Sequence, residues 1–160
     1  MGWLIPTDSF GVYLLAALTA GVASAAAVVV HYEGVHWLAR RYSRRKIDIT
    51  GDRGTMLKII FALLALHVVE IWCFGLALWG LLHVPGAGSV VGVGGVETLF
   101  DAFYLSATTF TTLGFGDLTP MGAVRVLSGC EALTGLLLIT WSASFTYLEM
   151  ARLWNERDSA

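Results

Sequence analysis

Residues 98–120 read Thr98-Leu-Phe-Asp-Ala-Phe-Tyr-Leu-Ser-Ala-Thr-Thr-Phe-Thr-Thr-Leu-Gly-Phe-Gly-Asp-Leu-Thr-Pro120. The first half, Leu99–Phe110, is predicted as a helix of about three turns, roughly 18 Å long, against a hydrocarbon core of about 30 Å. A segment of that length between two membrane spans has to enter and come back. Thr98 is placed as its N-cap, and Asp101 three residues on favours the amino end. The carboxyl end then carries partial negative charge toward the bilayer centre, where it favours a cation. In the second half, Gly114 and Gly116 stand one residue apart, and glycine adopts positive φ at little steric cost.

Outward from this stretch the chain is strongly apolar. At 160 residues it has room for one domain, and 56% hydrophobic against 14% charged residues is too apolar for a soluble fold of that size. Three runs suffice for membrane helices: Phe10–Val30, Ile59–Leu82 and Val126–Leu148. The first is read as a retained span. No basic residue precedes it, and its apolar run exceeds the roughly 7–15 residues of a signal-peptide core. The expected fold is an all-α membrane protein with three transmembrane helices and a re-entrant helix between the second and third. Its parts are residues 1–56 (first span and basic loop), 57–150 (outer helix, loop, inner helix) and a tail at 151–160.

Charge sets the orientation. Seven of the ten Lys and Arg residues lie between Arg40 and Lys58. Basic residues in short loops mark the cytoplasmic side of a cell membrane, so the amino terminus is expected outside and the carboxyl terminus inside. Arg152 and Arg157 agree, and His83–Glu97, without Lys or Arg, is external. Trp3, Trp37 and Trp154 flank the spans where an interfacial aromatic belt sits. Two readings of His36–Lys46 stand open: a short helix along the inner surface with Arg40–Lys46 toward anionic lipid head groups, or a solvated basic turn. No broad basic face is left for nucleic acid. Val84–Val96, with Pro85 and five glycines, is read as a flexible outer loop. Gly86-Ala87-Gly88 lacks the βαβ setting of a dinucleotide loop. Cys73 and Cys130 lie in apolar runs and read as small core hydrophobes.

Thr112-Leu113-Gly114-Phe115-Gly116-Asp117 resembles the signature of the potassium-channel pore-domain family, usually written TVGYGD. Ile59–Met150, slightly over half the chain, is similar to the pore module of two-span bacterial potassium channels. The chemistry accounts for the spacing. An ion leaving water needs its hydration oxygens replaced by rings of carbonyls facing one axis, which an ordinary strand, alternating its carbonyls, does not supply. The resemblance implies a homotetramer conducting K+ passively, with K+ held at Thr112, Leu113, Gly114 and Phe115, Gly116 completing the filter, and no other cofactor. One loop supplies one wall, and non-helical backbone at membrane depth survives only inside protein or along a wet path. Thr111, Asp117, Tyr104 and Thr108 are implied as supports, with Leu113 and Phe115 turned outward against the pore helix.

Here Phe115 stands where the family more often has Tyr, and Tyr104 and Thr108 stand where it often has Trp and an acid. Tyr104 retains a hydroxyl able to donate to Asp117; Thr108 offers no carboxyl. Gly135 falls near the inner-helix gating glycine, with close helix packing the equal alternative. Leu136, Ile139 and Ser144 are candidates for the inner cavity.

Glu70 lies about 16 Å into its span, where a lipid-facing charge costs roughly 2.5 kcal/mol or more. His67 is one turn away on the same face. A proton-sensing pair and a satisfied interhelical hydrogen bond are the two readings, the second favoured. Glu131 is read the same way, near the back of the pore helix.

An intramembrane enzyme using His67 and Glu70 lacks a second catalytic pair or HExxH spacing. No span repeats Arg or Lys as a voltage sensor does, and the short tail leaves no room for a ligand-binding domain. Within transport, a sodium-permeable or non-selective channel and a non-conducting accessory subunit are the rivals.

Overall fold

The computed structural model describes residues 10–42 and 52–158. Arg44, Arg45, Lys46 and Trp3 lie outside the described residues, as does the side chain of Arg157. In chain order the elements are α1 (Phe10–Tyr42), α2 (Asp52–Leu82), β1 (Ser89–Gly92), α3 (Leu99–Phe110), β2 (Leu118–Met121) and α4 (Val124–Asp158). By length and composition α1, α2 and α4 are membrane spans. The chain is a helical membrane protein.

α1 packs on α2 and α4 through one face: Ala16, Ala20, Ala23, Ala27, His31, Val35 and Leu38 are its buried residues. Four alanines a turn apart let the backbones approach closely, the usual means of helix association where lipid removes any hydrophobic drive. Ser24 adds a polar contact, its Oγ accepting from Thr134 Oγ1 at 3.1 Å. The same face continues past the expected end of the first span, because Val35 and Leu38 pack with Ile59 and Leu63 of α2. Within His36–Lys46, the described part His36–Tyr42 is neither a separate helix nor a turn but the last part of α1, and residues 43–46 lie outside the described residues. Trp37 points away from that packing and is exposed.

α3 sits against α2, where Gly75 lies so close that an added Cβ would stand 3.3 Å from Phe103 Cα. Trp72 stacks on the Phe103 ring with centroids 4.5 Å apart. The main core joins Phe74 and Leu78 of α2, Leu105 and Phe110 of α3, and Leu127 and Leu138 of α4.

The outer loop differs from expectation. Ser89–Gly92 pairs antiparallel with Leu118–Met121, Val90 opposite Pro120 and Gly92 opposite Leu118. The glycines read as flexibility are there for proximity: Gly88 and Gly92 have φ of 124° and 150°, and Cβ atoms would fall 1.9 and 1.8 Å from the carbonyl oxygens of Met121 and Asp117. The result is an ordered ribbon.

Candidate functional site: the pore loop

Thr98 and Asp101 start α3 with a capping box. Thr98 Oγ1 accepts from the Asp101 amide at 3.2 Å, and Asp101 Oδ2 accepts from the Thr98 amide at 2.7 Å. Two donors that a helix start leaves orphaned are thereby met. Hydrogen bonds from the Thr98 side chain and backbone hold the Asp101 carboxyl below the usual carboxylate range.

The other end of α3 closes on itself. The Thr112 amide donates to Thr109 O at 2.9 Å and the Leu113 amide to Thr108 O at 2.9 Å. These are the two bonds of a Schellman cap, which requires a left-handed residue at the position Thr112 occupies. Thr112 has φ of 58°, unusual for a β-branched residue. Gly114 and Gly116 follow with φ of 49° and 81°. Left-handed backbone thus recurs at every second residue from 112 to 116.

Every residue from Thr111 to Asp117 is exposed on the single chain. Leu113 and Phe115 are 59% and 65% exposed, so neither packs on the chain's own pore helix as expected. An added Cβ at Gly114 or Gly116 would meet nothing within 4 Å. Tyr104 donates to Asp117 Oδ2 at 2.7 Å, as the sequence suggested. That bond to a carboxylate raises the Tyr104 phenol above its ordinary range. Thr108 contributes backbone instead: its hydroxyl donates to Leu105 O at 3.0 Å, and its carbonyl accepts from Leu113 and Gly114. Thr111 Oγ1 donates to Ala107 O at 2.8 Å. Val93 donates its amide to Asp117 O at 3.2 Å, so the ribbon also holds the loop's outer end.

Gly135 lies beneath this cap. An added Cβ there would stand 2.1 Å from Phe110 O, so the residue is a seat for the end of α3. Of the two readings of Gly135, close packing is the one present. On α4, Leu136, Thr140 and Ser144 are spaced by four residues and exposed together, with Ile139 half-buried beside them. Thr140 and Ser144 return their hydroxyls to Leu136 O and Thr140 O at 2.9 and 3.0 Å, so the face carries polarity without orphaned donors.

Behind α3 the polar residues are joined. Glu131, buried, meets Ser106 Oγ, which bridges it to the Ile71 carbonyl 2.8 Å away. Glu131 therefore contacts the back of the pore helix. His67 Nδ1 lies 2.8 Å from Glu70 Oε2, and His31 Nδ1 lies 2.8 Å from Glu70 Oε1. The interhelical hydrogen bond weighed for this pair is thus present, reaching α1 through a residue 39 positions away. Sequence reasoning missed His31, Ser106 and the left-handed Thr112. A histidine at the end of the first apolar run was the one available signal.

Residues 55–148 match the family model described as "ion channel". Neither the curated proteins nor the solved structures compared give a match. The match begins inside α2 and ends inside α4, leaving α1 outside it. With a match over more than half its length, the chain belongs to the ion channel family and is a channel protein, not an enzyme.

Proposed function

We propose that four copies of this chain surround one axis and conduct K+ through rings of carbonyls from Thr112 to Gly116. The observation that carries this reading is the run Thr111–Asp117, exposed throughout and left-handed at 112, 114 and 116. Backbone without helical hydrogen bonds is not stable facing lipid. Three further copies around an aqueous axis would cover Leu113 and Phe115 and leave the carbonyls to replace water around an ion. The carboxyl end of α3 stands behind that site and favours positive charge.

Arg40 and Arg41 close α1, Arg53 and Lys58 open α2, and Arg152 lies near the end of α4. This supports an amino terminus outside and a carboxyl terminus in the cytoplasm. The exposed Leu136, Thr140 and Ser144 suit an inner cavity. Arg40 and Arg41 suit anionic head groups at the inner surface.

A cation channel that also passes sodium is the second reading. It is favoured by Phe115, which has no hydroxyl, and by Thr108, which spends its own on Leu105 O. Tyr104 is then the side chain holding Asp117 among the described residues.

Potassium and sodium efflux from liposomes containing the purified protein separates the readings. Potassium flux well above sodium flux, lost in Gly114→Ala, is the expected result. Equal fluxes would establish the second reading, and a tetramer passing neither ion would make the chain an accessory subunit.

A further inference from the structure

One group of ligating side chains lies outside the pore loop, at the joint between α1 and α2. His31 and Glu70 are both fully buried, 0% exposed. The Glu70 carboxylate has one imidazole Nδ1 at 2.8 Å from each oxygen, His31 on one and His67 on the other. The two rings stack with centroids 5.5 Å apart and planes at 28°. One donor atom from each of the three residues falls within a 4.8 Å span.

Two imidazole nitrogens occupy the carboxylate's two oxygens, and the buried carboxylate is a group that favours positive charge beside it. A divalent cation brings that charge. Imidazole nitrogen with carboxylate oxygen suits zinc and its transition-metal neighbours, whereas magnesium and calcium prefer all-oxygen sets. Two His and one Glu make a three-ligand set that leaves a fourth, tetrahedral position for water. Zinc bonds of about 2.0–2.2 Å place neighbouring ligand atoms about 3.3 Å apart, so the two 2.8 Å gaps open slightly and the widest gap, inside the 4.8 Å span, draws in.

A second observation points to the same place. His31 Nε2 and Ser142 Oγ are buried with no hydrogen-bond partner among the described residues, and buried polar atoms seldom stay unpaired. Ser142 and His67 line one groove of about 550 Å³ between α2 and α4, with Leu63, Ile139 and Thr146. That groove, mostly apolar, reaches His67 and leaves space beside it for the water that a fourth position requires.

We propose that His31 Nδ1, His67 Nδ1 and Glu70 bind a divalent transition-metal ion of the zinc type, clipping α1 to the pore module. The site stands independently of which ion the pore selects. Coordination needs the Nδ1 lone pairs, so each ring carries its proton on Nε2, and the His31 Nε2–H, without a partner among the described residues, then needs a water as acceptor.

The test is uptake of Zn2+ by the purified full-length protein in detergent, followed by elemental analysis, calorimetry and the visible spectrum of the Co2+ form. One ion per chain and the absorption of a tetrahedral, imidazole-ligated Co2+ are expected. His31→Gln and His67→Gln keep a donor toward Glu70 and should each weaken binding by roughly tenfold or more. His36→Gln and His83→Gln should leave it unchanged. No uptake by the wild type, or equal uptake by His31→Gln and His36→Gln, would overturn the site. If His31→Gln fails to fold, the wild-type Co2+ spectrum decides: a spectrum of octahedral, water-ligated Co2+ overturns the proposal.

Discussion

Two polar regions of this chain, the Glu70 cluster and the loop Thr111–Asp117, are satisfied in opposite ways. Glu70 is enclosed by its own chain: α1 brings His31, α2 brings His67, and no part of the carboxylate is exposed. Thr111–Asp117 is left open by its own chain, with its backbone bent into alternating hand and its two large apolar side chains uncovered. Both face the same cost, since an unsatisfied polar group in hydrocarbon is worth several kcal/mol. The α1–α2 joint is finished within one protomer, whereas the loop is left open there, and the proposed assembly would complete it with other copies.

The largest effect is expected where the two regions meet. Gly135→Ala sets a Cβ 2.1 Å from the Phe110 carbonyl oxygen. Backbone cannot turn aside as a side chain does, so the loss should reach or exceed the roughly 1–3 kcal/mol usual for overpacking. Gly129→Ala on the same helix meets nothing within 4 Å. It should be neutral or gain up to about 1 kcal/mol from helix propensity. Thermal unfolding of the two variants in detergent reads the contrast, and similar midpoints would remove Gly135 as the seat of α3.

Glu70→Leu attacks the enclosed region alone. Two imidazoles lose their acceptor, and for the fully buried His31 an unsatisfied donor costs about 1–3 kcal/mol. The thermal midpoint should fall while any surviving tetramer keeps its ion preference. Unchanged stability would mean that the joint contributes nothing to holding α1.

Smaller effects sharpen the description of the open region. Thr98→Ala removes one half of the capping box and should cost about 1 kcal/mol of stability. Asp101 has its carboxyl lowered by its bonds to Thr98, so the ionised form is favoured by the folded protein. Its contribution is complete above the unfolded carboxylate value of about 3.9 and is lost as pH falls through the lowered folded value. Wild-type melts should therefore drop more steeply with acid in that window than those of Asp101→Asn. Parallel curves would show that the box does not stabilise α3.

The pore helix was legible because its signals are local. Thr98 and Asp101 mark its start, its length is too short to span, and Tyr104 stands one hydrogen bond from Asp117. Other features depend on partners that a linear reading does not bring together. Thr112 is left-handed because the helix cap needs that conformation there, and a β-branched residue gives no hint of it. The glycines near β1 look like slack until Gly88 and Gly92 are seen against the carbonyls of Met121 and Asp117. His31 finds Glu70 across two helices, and α1 runs on to Tyr42 because Val35 and Leu38 have partners on α2.

On the proposed reading the open loop becomes a potassium-selective path when four copies meet. The most direct test of that reading is the reversal potential of the purified protein in a planar bilayer with potassium on one side and sodium on the other. A reversal potential strongly displaced toward the potassium equilibrium value, from a species of tetrameric mass, is the predicted result. A reversal potential near zero, or current from a species of any other stoichiometry, would contradict it.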